Sequence, residues 1–113
     1  MSSVVVKSID KDLVRRRMDE YAARLLASRP DVEEIVVFGS FEKDNYAPGS
    51  DLDLFILLTG SDLQVRDRVP ELLPGPFPVP VDVFPYTPAE VAAIGSSPVI
   101  DAVRASTWRY RRS

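Results

Sequence analysis

Three aspartates and a glycine–serine pair are the residues of this sequence whose types and spacing could carry chemistry. Asp51 and Asp53 flank a single leucine, Gly39-Ser40 is separated from Asp51 by ten residues, and Asp82 lies between two valines farther along. Three carboxylates brought within about 5 Å of one another would repel by roughly 3 kcal/mol per pair at an effective dielectric constant of about 20. A protein avoids such a cluster or fills it with cations, and carboxylate oxygens suit Mg²⁺. The residues therefore favour a divalent-metal site.

The glycine–serine pair offers what a phosphate group needs. Gly39-Ser40 ends an apolar run and opens a loop, where backbone N–H groups and a hydroxyl can contact phosphate oxygens. Glycine permits a close approach that a side chain would block. Two divalent ions about 4 Å apart, bridged by carboxylates, would bind a triphosphate and promote in-line displacement at phosphorus. Together these residues indicate phosphoryl or nucleotidyl transfer.

The elements that must position these residues are strands, indicated by apolar runs. Val32–Phe38 is predicted as a buried strand and Asp51–Leu58 as a second one, joined by a polar loop. Residues two apart in a strand point to the same face, so Asp51 and Asp53 are expected to project together. A third strand presents Asp82, and it begins late or lies at an edge because the proline before it has no N–H.

Helices complete the expected order, each signalled by apolar residues at helical spacing or by a capping residue. The predicted ranges are 10–28, 61 to 72 or 73, 88–94 and 98–105, with Asp10, Ser61 or Asp62, and Thr87 as caps. Strands and helices interleave without internal repeats or a linker. The sequence therefore predicts a single domain, 1–113, of the α/β (α+β) class.

Several classes of chemistry are excluded because the chain contains neither cysteine nor histidine. Disulfides, thiolate catalysis, cysteine or histidine metal sites and a histidine general base are all ruled out. No stretch approaches the roughly 18–20 apolar residues that cross a bilayer, and the start lacks the basic and apolar regions of a signal peptide. We therefore expect a cytoplasmic protein with no membrane partner.

Charge is distributed unevenly along the chain, whose net charge is −3. Residues 1–30 carry seven Lys or Arg against four Asp or Glu, residues 31–101 carry three against thirteen, and residues 102–113 carry four Arg and no acid. An acidic middle of this size repels a nucleic-acid backbone unless metal ions intervene. Direct binding of nucleic acid is therefore disfavoured.

The carboxyl-terminal tail alternates aromatic and basic residues from Trp108 to Arg112. We interpret it as an edge strand with Trp108 and Tyr110 pointing inward, in which the arginines discourage further strand pairing. Stacking on nucleic-acid bases is the alternative reading of the same pattern.

The motif residues resemble the DNA polymerase β-like nucleotidyltransferase superfamily, and within it the minimal nucleotidyltransferases, small prokaryotic proteins often paired with a HEPN-domain toxin. The matching segments are VVFGS at 36–40, SDLDLFILL at 50–58 and VDVF at 81–84, preceded by the helix over 10–28. The resemblance covers nearly the whole chain. It implies a mixed β-sheet flanked by helices, and transfer of a nucleoside monophosphate from a nucleoside triphosphate.

The resemblance also implies a role for each motif residue. By motif position, Asp51 and Asp53 would hold both Mg²⁺ ions. Asp82 would ligate the catalytic ion and help to deprotonate the acceptor hydroxyl. Gly39-Ser40 would bind the β- and γ-phosphates, and Ser50 would brace the loop before the first aspartate.

The sequence departs from the family pattern just after the glycine–serine pair. Many relatives have Arg residues there, whereas this chain has Phe41-Glu42-Lys43. Lys43 is the candidate for the positive charge beside the triphosphate. An acid at position 42 is an unusual neighbour for that group.

The resemblance predicts a Mg²⁺-dependent transfer of NMP, with AMP from ATP preferred, to a hydroxyl of a HEPN-type toxin, which would make this chain an antitoxin. A chain of this length leaves no room for a separate acceptor-binding domain, so a partner chain or self-association is expected to complete the site. Two alternatives stay open. One is transfer to a small molecule, and the other is a binding module whose degenerate site only neutralises a partner.

Overall fold

The computed structural model describes residues 9–112, in which four strands and four helices alternate. Their order is α1 (Lys11–Ser28), β1 (Val32–Phe38), β2 (Leu52–Leu58), α2 (Val65–Leu72), β3 (Val81–Tyr86), α3 (Pro88–Ile94), α4 (Pro98–Ala105) and β4 (Trp108–Arg111). The expectation that the chain has no signal peptide concerns its amino-terminal residues, and residues 1–8 lie outside the described range. Within that range, no helix is both long and apolar enough to cross a membrane.

The four strands form one mixed sheet in the order β3-β2-β1-β4. β1 runs antiparallel to β2 and to β4, whereas β2 and β3 are parallel. The expected α/β (α+β) class, with a mixed sheet flanked by helices, is thereby confirmed. β3 is an edge strand, as the proline before it predicts.

The two faces of the sheet are buried against different helices. On one face, apolar residues of α1 pack on alternate residues of β2, namely Leu52, Leu54, Ile56 and Leu58. On the other face, Ile100 and Val103 of α4 pack on Val36, Phe38 and Phe55. Side chains alternate along a strand, so Asp53 lies on the face that α4 covers.

Local capping signals set most helix boundaries. The Asp10 carboxylate accepts a hydrogen bond from Leu13 N at 3.0 Å at the start of α1, and Thr87 forms a capping box with Glu90 at the start of α3. These caps and the bounds of β1 agree with the sequence predictions.

The predicted start of α2 is wrong. The helix begins at Val65, and its N-cap Gln64 makes no side-chain capping bond. The Ser61 hydroxyl instead accepts a hydrogen bond from Leu63 N at 3.1 Å, which closes a short turn and delays the helix. β2 likewise begins one residue late, at Leu52.

A buried guanidinium joins α2 to β3 and α3. Arg68, only 5% exposed, donates to the carbonyl oxygens of Leu63 at 2.9 Å and Pro85 at 3.0 Å. It also donates to both carboxylate oxygens of Glu90, at 2.7 and 2.8 Å. This hydrogen bonding lowers the pKa of Glu90 to about 2. Because Glu90 also belongs to the capping box, α3 is anchored through its first turn.

The carboxyl-terminal tail forms the edge strand that its alternating pattern predicts. Trp108 is buried and Tyr110 half-buried in the cluster under α1, and the Arg15 guanidinium lies 4.3 Å from the centre of the Trp108 ring. Arg109 and Arg111 both donate to the Glu34 carboxylate on β1. The aromatic side chains of the tail therefore stabilise the sheet.

Candidate active site

Strand register brings the predicted residues to one end of the sheet. Phe38, the last residue of β1, pairs with Asp53 on β2, and Asp53 pairs with Asp82 on β3. Paired residues on adjacent strands lie about 5 Å apart and project to the same face. The turn at Gly39, which follows Phe38, is therefore beside two carboxylates contributed by two other strands.

Gly39 is in direct contact with this cluster. Its φ of +80° is a left-handed conformation that favours glycine. A β-carbon built at this position would lie 2.5 Å from Oδ2 of Asp53. Glycine is thus required here both by the backbone and by the Asp53 carboxylate packed against it.

The carboxylates differ in their surroundings. Asp51 and Asp82 are exposed, whereas Asp53 is half-buried. Burial raises the pKa of Asp53 to about 6, and the nearby charges of Asp82 and then Asp51 add to this effect. The central carboxyl group is therefore affected by both neighbouring acids, although burial has the larger effect on its pKa.

The donor set fits a hard divalent cation. Asp51, Asp53 and Asp82 offer only carboxylate oxygens, the ligand atoms that such a cation prefers, and the pKa of the central one is raised by burial first and by its two acidic neighbours second. Within residues 9–112, however, no three acidic side chains are gathered closely enough to hold a metal ion. The backbone thus aligns the ligand candidates, while their carboxylates are not drawn together into a coordination shell.

The loop after Gly39 folds back through backbone hydrogen bonds. Lys43 N donates to the Gly39 carbonyl at 3.1 Å, and Asn45 N donates to the Ser40 carbonyl at 3.0 Å. The Ser40 side chain remains half-buried at the turn. These bonds hold the glycine–serine pair at the end of β1, next to the aspartates.

Two further contacts fix the loop before Asp51. Ser50 Oγ accepts a hydrogen bond from Ala47 N at 2.9 Å, a geometry suited to the bracing role that the resemblance implies for Ser50. Phe41 is 1% exposed and stacks on Tyr46, with ring centroids 4.7 Å apart. The segment was expected to be a polar loop, and the stack was not predicted, although the two aromatic residues in it were an available signal.

The charged residues after the glycine–serine pair point in different directions. Lys43 is exposed at the surface, while its neighbour Asp44 pairs with Lys11 at 2.6 Å. A carboxylate oxygen of Glu42 lies 3.5 Å from both the backbone nitrogen and the hydroxyl of Thr107, at the start of the tail. Glu42 therefore leans toward β4, across β1 from the aspartates.

A cavity of about 510 Å³ lies near this end of the sheet, and its walls come from the proline-rich segment 73–81. Val81, its last lining residue, is adjacent to Asp82, but no aspartate lines the cavity. The aspartates themselves stand at the open end of the sheet.

Comparison with known proteins assigns the family. Residues 18–106 match the nucleotidyltransferase domain, a span that includes both aspartate strands and the glycine–serine turn. The chain belongs to the nucleotidyltransferase domain family. The resemblance read from the motifs is confirmed at this level, and transfer of a nucleoside monophosphate is the activity typical of the domain.

A solved structure shares the fold of this nucleotidyltransferase domain. The crystal structure of a candidate nucleotidyltransferase from Sulfolobus solfataricus matches with a TM-score of 0.58 and 20% sequence identity. The match covers 89% of this chain and 80% of that chain. No curated protein matches the sequence.

Proposed function

We propose that this nucleotidyltransferase domain transfers a nucleoside monophosphate, AMP in preference to the others, from a nucleoside triphosphate to a hydroxyl group. The observation that carries the proposal is the register of three strands, which sets Asp53 between Asp82 and the Gly39 turn. Carboxylates on adjacent strands beside a glycine–serine turn are suited to a metal-bound triphosphate.

Asp51, Asp53 and Asp82 would hold the divalent cations, with Mg²⁺ as the ion that best matches their oxygens. When bound, such ions supply charge neutralisation for the triphosphate and polarisation at phosphorus. The fit rests on the donor set, three carboxylates at adjacent strands, and on the position of Asp53, which is half-buried and has the charges of Asp82 and Asp51 nearby.

Residues of this chain would also bind the phosphates and accept the proton of the acceptor. Gly39-Ser40 would contact the terminal phosphates, with Lys43 supplying positive charge beside them. The acceptor oxygen attacks the α-phosphorus, the bond to the pyrophosphate oxygen breaks, and pyrophosphate leaves. Asp82 would take the proton of the acceptor hydroxyl, a role supported by its exposure and its position on the edge strand.

The proposed acceptor is a side-chain hydroxyl of a HEPN-type protein, with this chain acting as the antitoxin. The support is the resemblance of the VVFGS, SDLDLFILL and VDVF segments to the minimal nucleotidyltransferases. A nucleoside triphosphate substrate also supports a cytoplasmic location, because these molecules are made and kept there.

A second candidate is a binding module that neutralises its partner without catalysis. It is favoured by the carboxylates of residues 9–112, which are not gathered around a common centre, and by the acid at position 42. Against it, an idle cluster that raises the pKa of Asp53 would only destabilise the domain.

Calorimetry separates these candidates. We expect the wild-type chain to bind ATP in the presence of Mg²⁺, and the Asp51→Asn/Asp53→Asn variant to lose that binding. Asp62→Asn is the matched control, because Asp62 is an exposed acid in the turn before α2. Absence of Mg²⁺-dependent nucleotide binding by the wild type would refute the enzyme proposal.

A label-transfer assay tests the acceptor. Wild-type chain, ATP labelled at the α-phosphate and the product of the adjacent gene should yield labelled partner protein. Asp82→Asn should abolish the label while retaining nucleotide binding by the remaining acids. Labelling that persists in Asp82→Asn would disprove the role proposed for this residue.

A further inference from the structure

Helix α3 is an apolar helix without a buried residue. Six of the seven residues from Pro88 to Ile94 are apolar, and Glu90 is the exception. Each of the other helices described in residues 9–112 buries at least two side chains, whereas α3 buries none. Ile94, at its end, is 42% exposed. Apolar residues on a surface helix usually face a core, so this helix lacks a covering element.

Anchoring, rather than burial, holds α3 in place. The capping box between Thr87 and Glu90 starts the helix, and a proline occupies its first position. Glu90 is in turn bound by the buried Arg68 guanidinium. The helix is thus held mainly at its polar first turn, and all of its apolar side chains except the partly buried Val91 are exposed.

The apolar surface extends beyond α3. Phe84, Tyr86, Val91 and Val99 are only partly buried, and all pack against the core cluster under α4. Ile94 stands three residues after Val91 in the same helix and so lies on the same helix face. We call these five residues of β3, α3 and α4 the α3 surface.

The α3 surface borders the candidate active site. Phe84 lies two residues after Asp82 on β3, so both side chains project to the same face of the sheet. The Phe84 ring also contacts Phe38 edge-on, with centroids 5.3 Å apart, directly before the Gly39 turn. A molecule covering Phe84 would therefore stand beside the aspartates.

The charged residues of the segment that carries this surface are acidic, and Arg104, in the last turn of α4, is the next basic residue after it. Residues 69–103, which contain the whole α3 surface, include four acids and no Lys or Arg. Arg68, just before this segment, is buried and paired with Glu90. Asp82 and Asp101 are exposed on either side of α3. A second copy of this chain would bring like charges together, and a nucleic acid or an anionic lipid surface would be repelled.

We propose that the α3 surface docks a protein whose contact face is apolar and rimmed with Lys or Arg. Apolar contact would supply the affinity, and the acidic surroundings would select a basic partner. Because the surface adjoins Asp82, the docked protein would also present a hydroxyl to the site, and only this presentation of an acceptor rests on the proposed function. The docking surface itself does not depend on catalysis.

Site-specific photo-crosslinking in the native cell locates the partner. A photoreactive amino acid at position 94 should crosslink one other protein, and the same group at position 73 should not. Leu73 is the matched control, because it is a large apolar residue 47% exposed, beside α1 on the opposite face of the sheet. Crosslinks from position 94 only to another copy of this chain, only to nucleic acid, or to nothing would overturn the proposal.

Charge variants then test whether the partner is basic. Their affinity is measured for the purified partner protein that the crosslinking identifies. Ile94→Arg should weaken binding at least tenfold and more than Ile94→Glu does, whereas Leu73→Arg and Leu73→Glu should leave the affinity unchanged. The affinity of the wild type should also fall as salt is raised. Equal affinity of wild type and Ile94→Arg, or a larger loss for Ile94→Glu than for Ile94→Arg, would overturn the proposal.

A second readout separates this inference from the proposed function. Ile94→Arg should keep wild-type Mg²⁺-dependent nucleotide binding, since position 94 contributes nothing to that site. If wild type binds the partner through α3 but never labels it, the transfer reaction is wrong and the docking surface stands. If labelling occurs and Ile94→Arg does not reduce it, the docking surface is wrong and the transfer reaction stands.

Discussion

The α-carbon of Gly39 faces the carboxylate of Asp53 so closely that a β-carbon there would stand 2.5 Å from Oδ2. This contact links the turn after β1 to the central acid of β2. Glycine is favoured at this position for two reasons. Its φ of +80° is a conformation that other residues rarely adopt, and a side chain would collide with the Asp53 carboxylate.

Gly39→Ala should therefore affect binding more than stability. Alanine at a positive φ costs about 1–2 kcal/mol, and the added methyl group is accommodated by turning the Asp53 carboxylate aside. We expect Mg²⁺-dependent nucleotide binding to weaken by about 10- to 100-fold, as when a metal ligand loses its orientation. Urea unfolding measures the change in the free energy of unfolding, and calorimetry measures the change in nucleotide affinity.

Gly49→Ala is the control for this variant. Gly49 has φ of +88° with nothing within 4 Å of an added β-carbon. The two variants should lose similar stability, and only Gly39→Ala should lose binding. Equal losses of binding would show that the contact with Asp53 has no influence on the site.

The raised pKa of Asp53 predicts a pH dependence of stability. Its value of about 6 lies above the ordinary 3.8, so the folded state binds this proton more tightly than the unfolded chain does. The stabilisation is complete below about pH 4 and is lost as pH rises through about 6. From pH 5 to pH 7.5, the metal-free protein should lose about 1–2 kcal/mol, a range reduced because the carboxyl is partly solvated.

The absence of histidine makes this pH window informative, because no other side chain with an ordinary pKa titrates there. Urea unfolding in EDTA at the two pH values measures the loss. Asp53→Asn should flatten the profile and be the more stable protein at pH 7.5. A profile of the same slope in Asp53→Asn would assign the effect to another group.

Arg68 is expected to hold α3 and β3 to α2. Arg68→Ala removes hydrogen bonds to Leu63, Pro85 and Glu90 and should lower the free energy of unfolding by about 2–4 kcal/mol. Arg66→Ala, on the same helix and 84% exposed, should cost no more than about 0.5 kcal/mol. Chemical denaturation followed by circular dichroism measures both, and equal stabilities would contradict the anchoring role.

Ser106 joins the tail to the strand that ends at the site. Its buried hydroxyl donates to the Val37 carbonyl at 2.6 Å and accepts from Trp108 N at 3.1 Å. Ser106→Ala should cost about 1–2 kcal/mol, because two buried backbone groups lose a partner. Thr107→Ala should cost less than about 0.5 kcal/mol, since its contacts to Glu42 are 3.5 Å long. Thermal unfolding of the two variants measures these losses of stability. A larger loss for Thr107→Ala than for Ser106→Ala would contradict the role of the Ser106 hydroxyl.

Much of the fold was predictable because its signals are local. β1 has the predicted bounds Val32–Phe38, and the caps Asp10 and Thr87 lie at the predicted helix starts. The start of α2 was mispredicted because Ser61 can close a turn as readily as it can cap a helix. Only the packing of the following residues decides between those two uses.

The sequence by itself determined the types of residue available for chemistry at this site. Without cysteine or histidine, the spacing of Asp51, Asp53 and Asp82 and the glycine–serine pair indicated phosphoryl or nucleotidyl transfer, and the family resemblance selected the second. The alternation of side chains along a strand also required Asp53 to project away from Leu52 and Leu54.

Tertiary structure alone decided which of these residues meet. The pairing of Phe38 with Asp53 and of Asp53 with Asp82 depends on strand register, which is set by packing of whole faces and not by any local pattern. The same packing half-buries Asp53, so that its pKa rises, and leaves α3 uncovered beside the site. Burial and proximity are properties of the assembled sheet, and for that reason they could not be read along the chain.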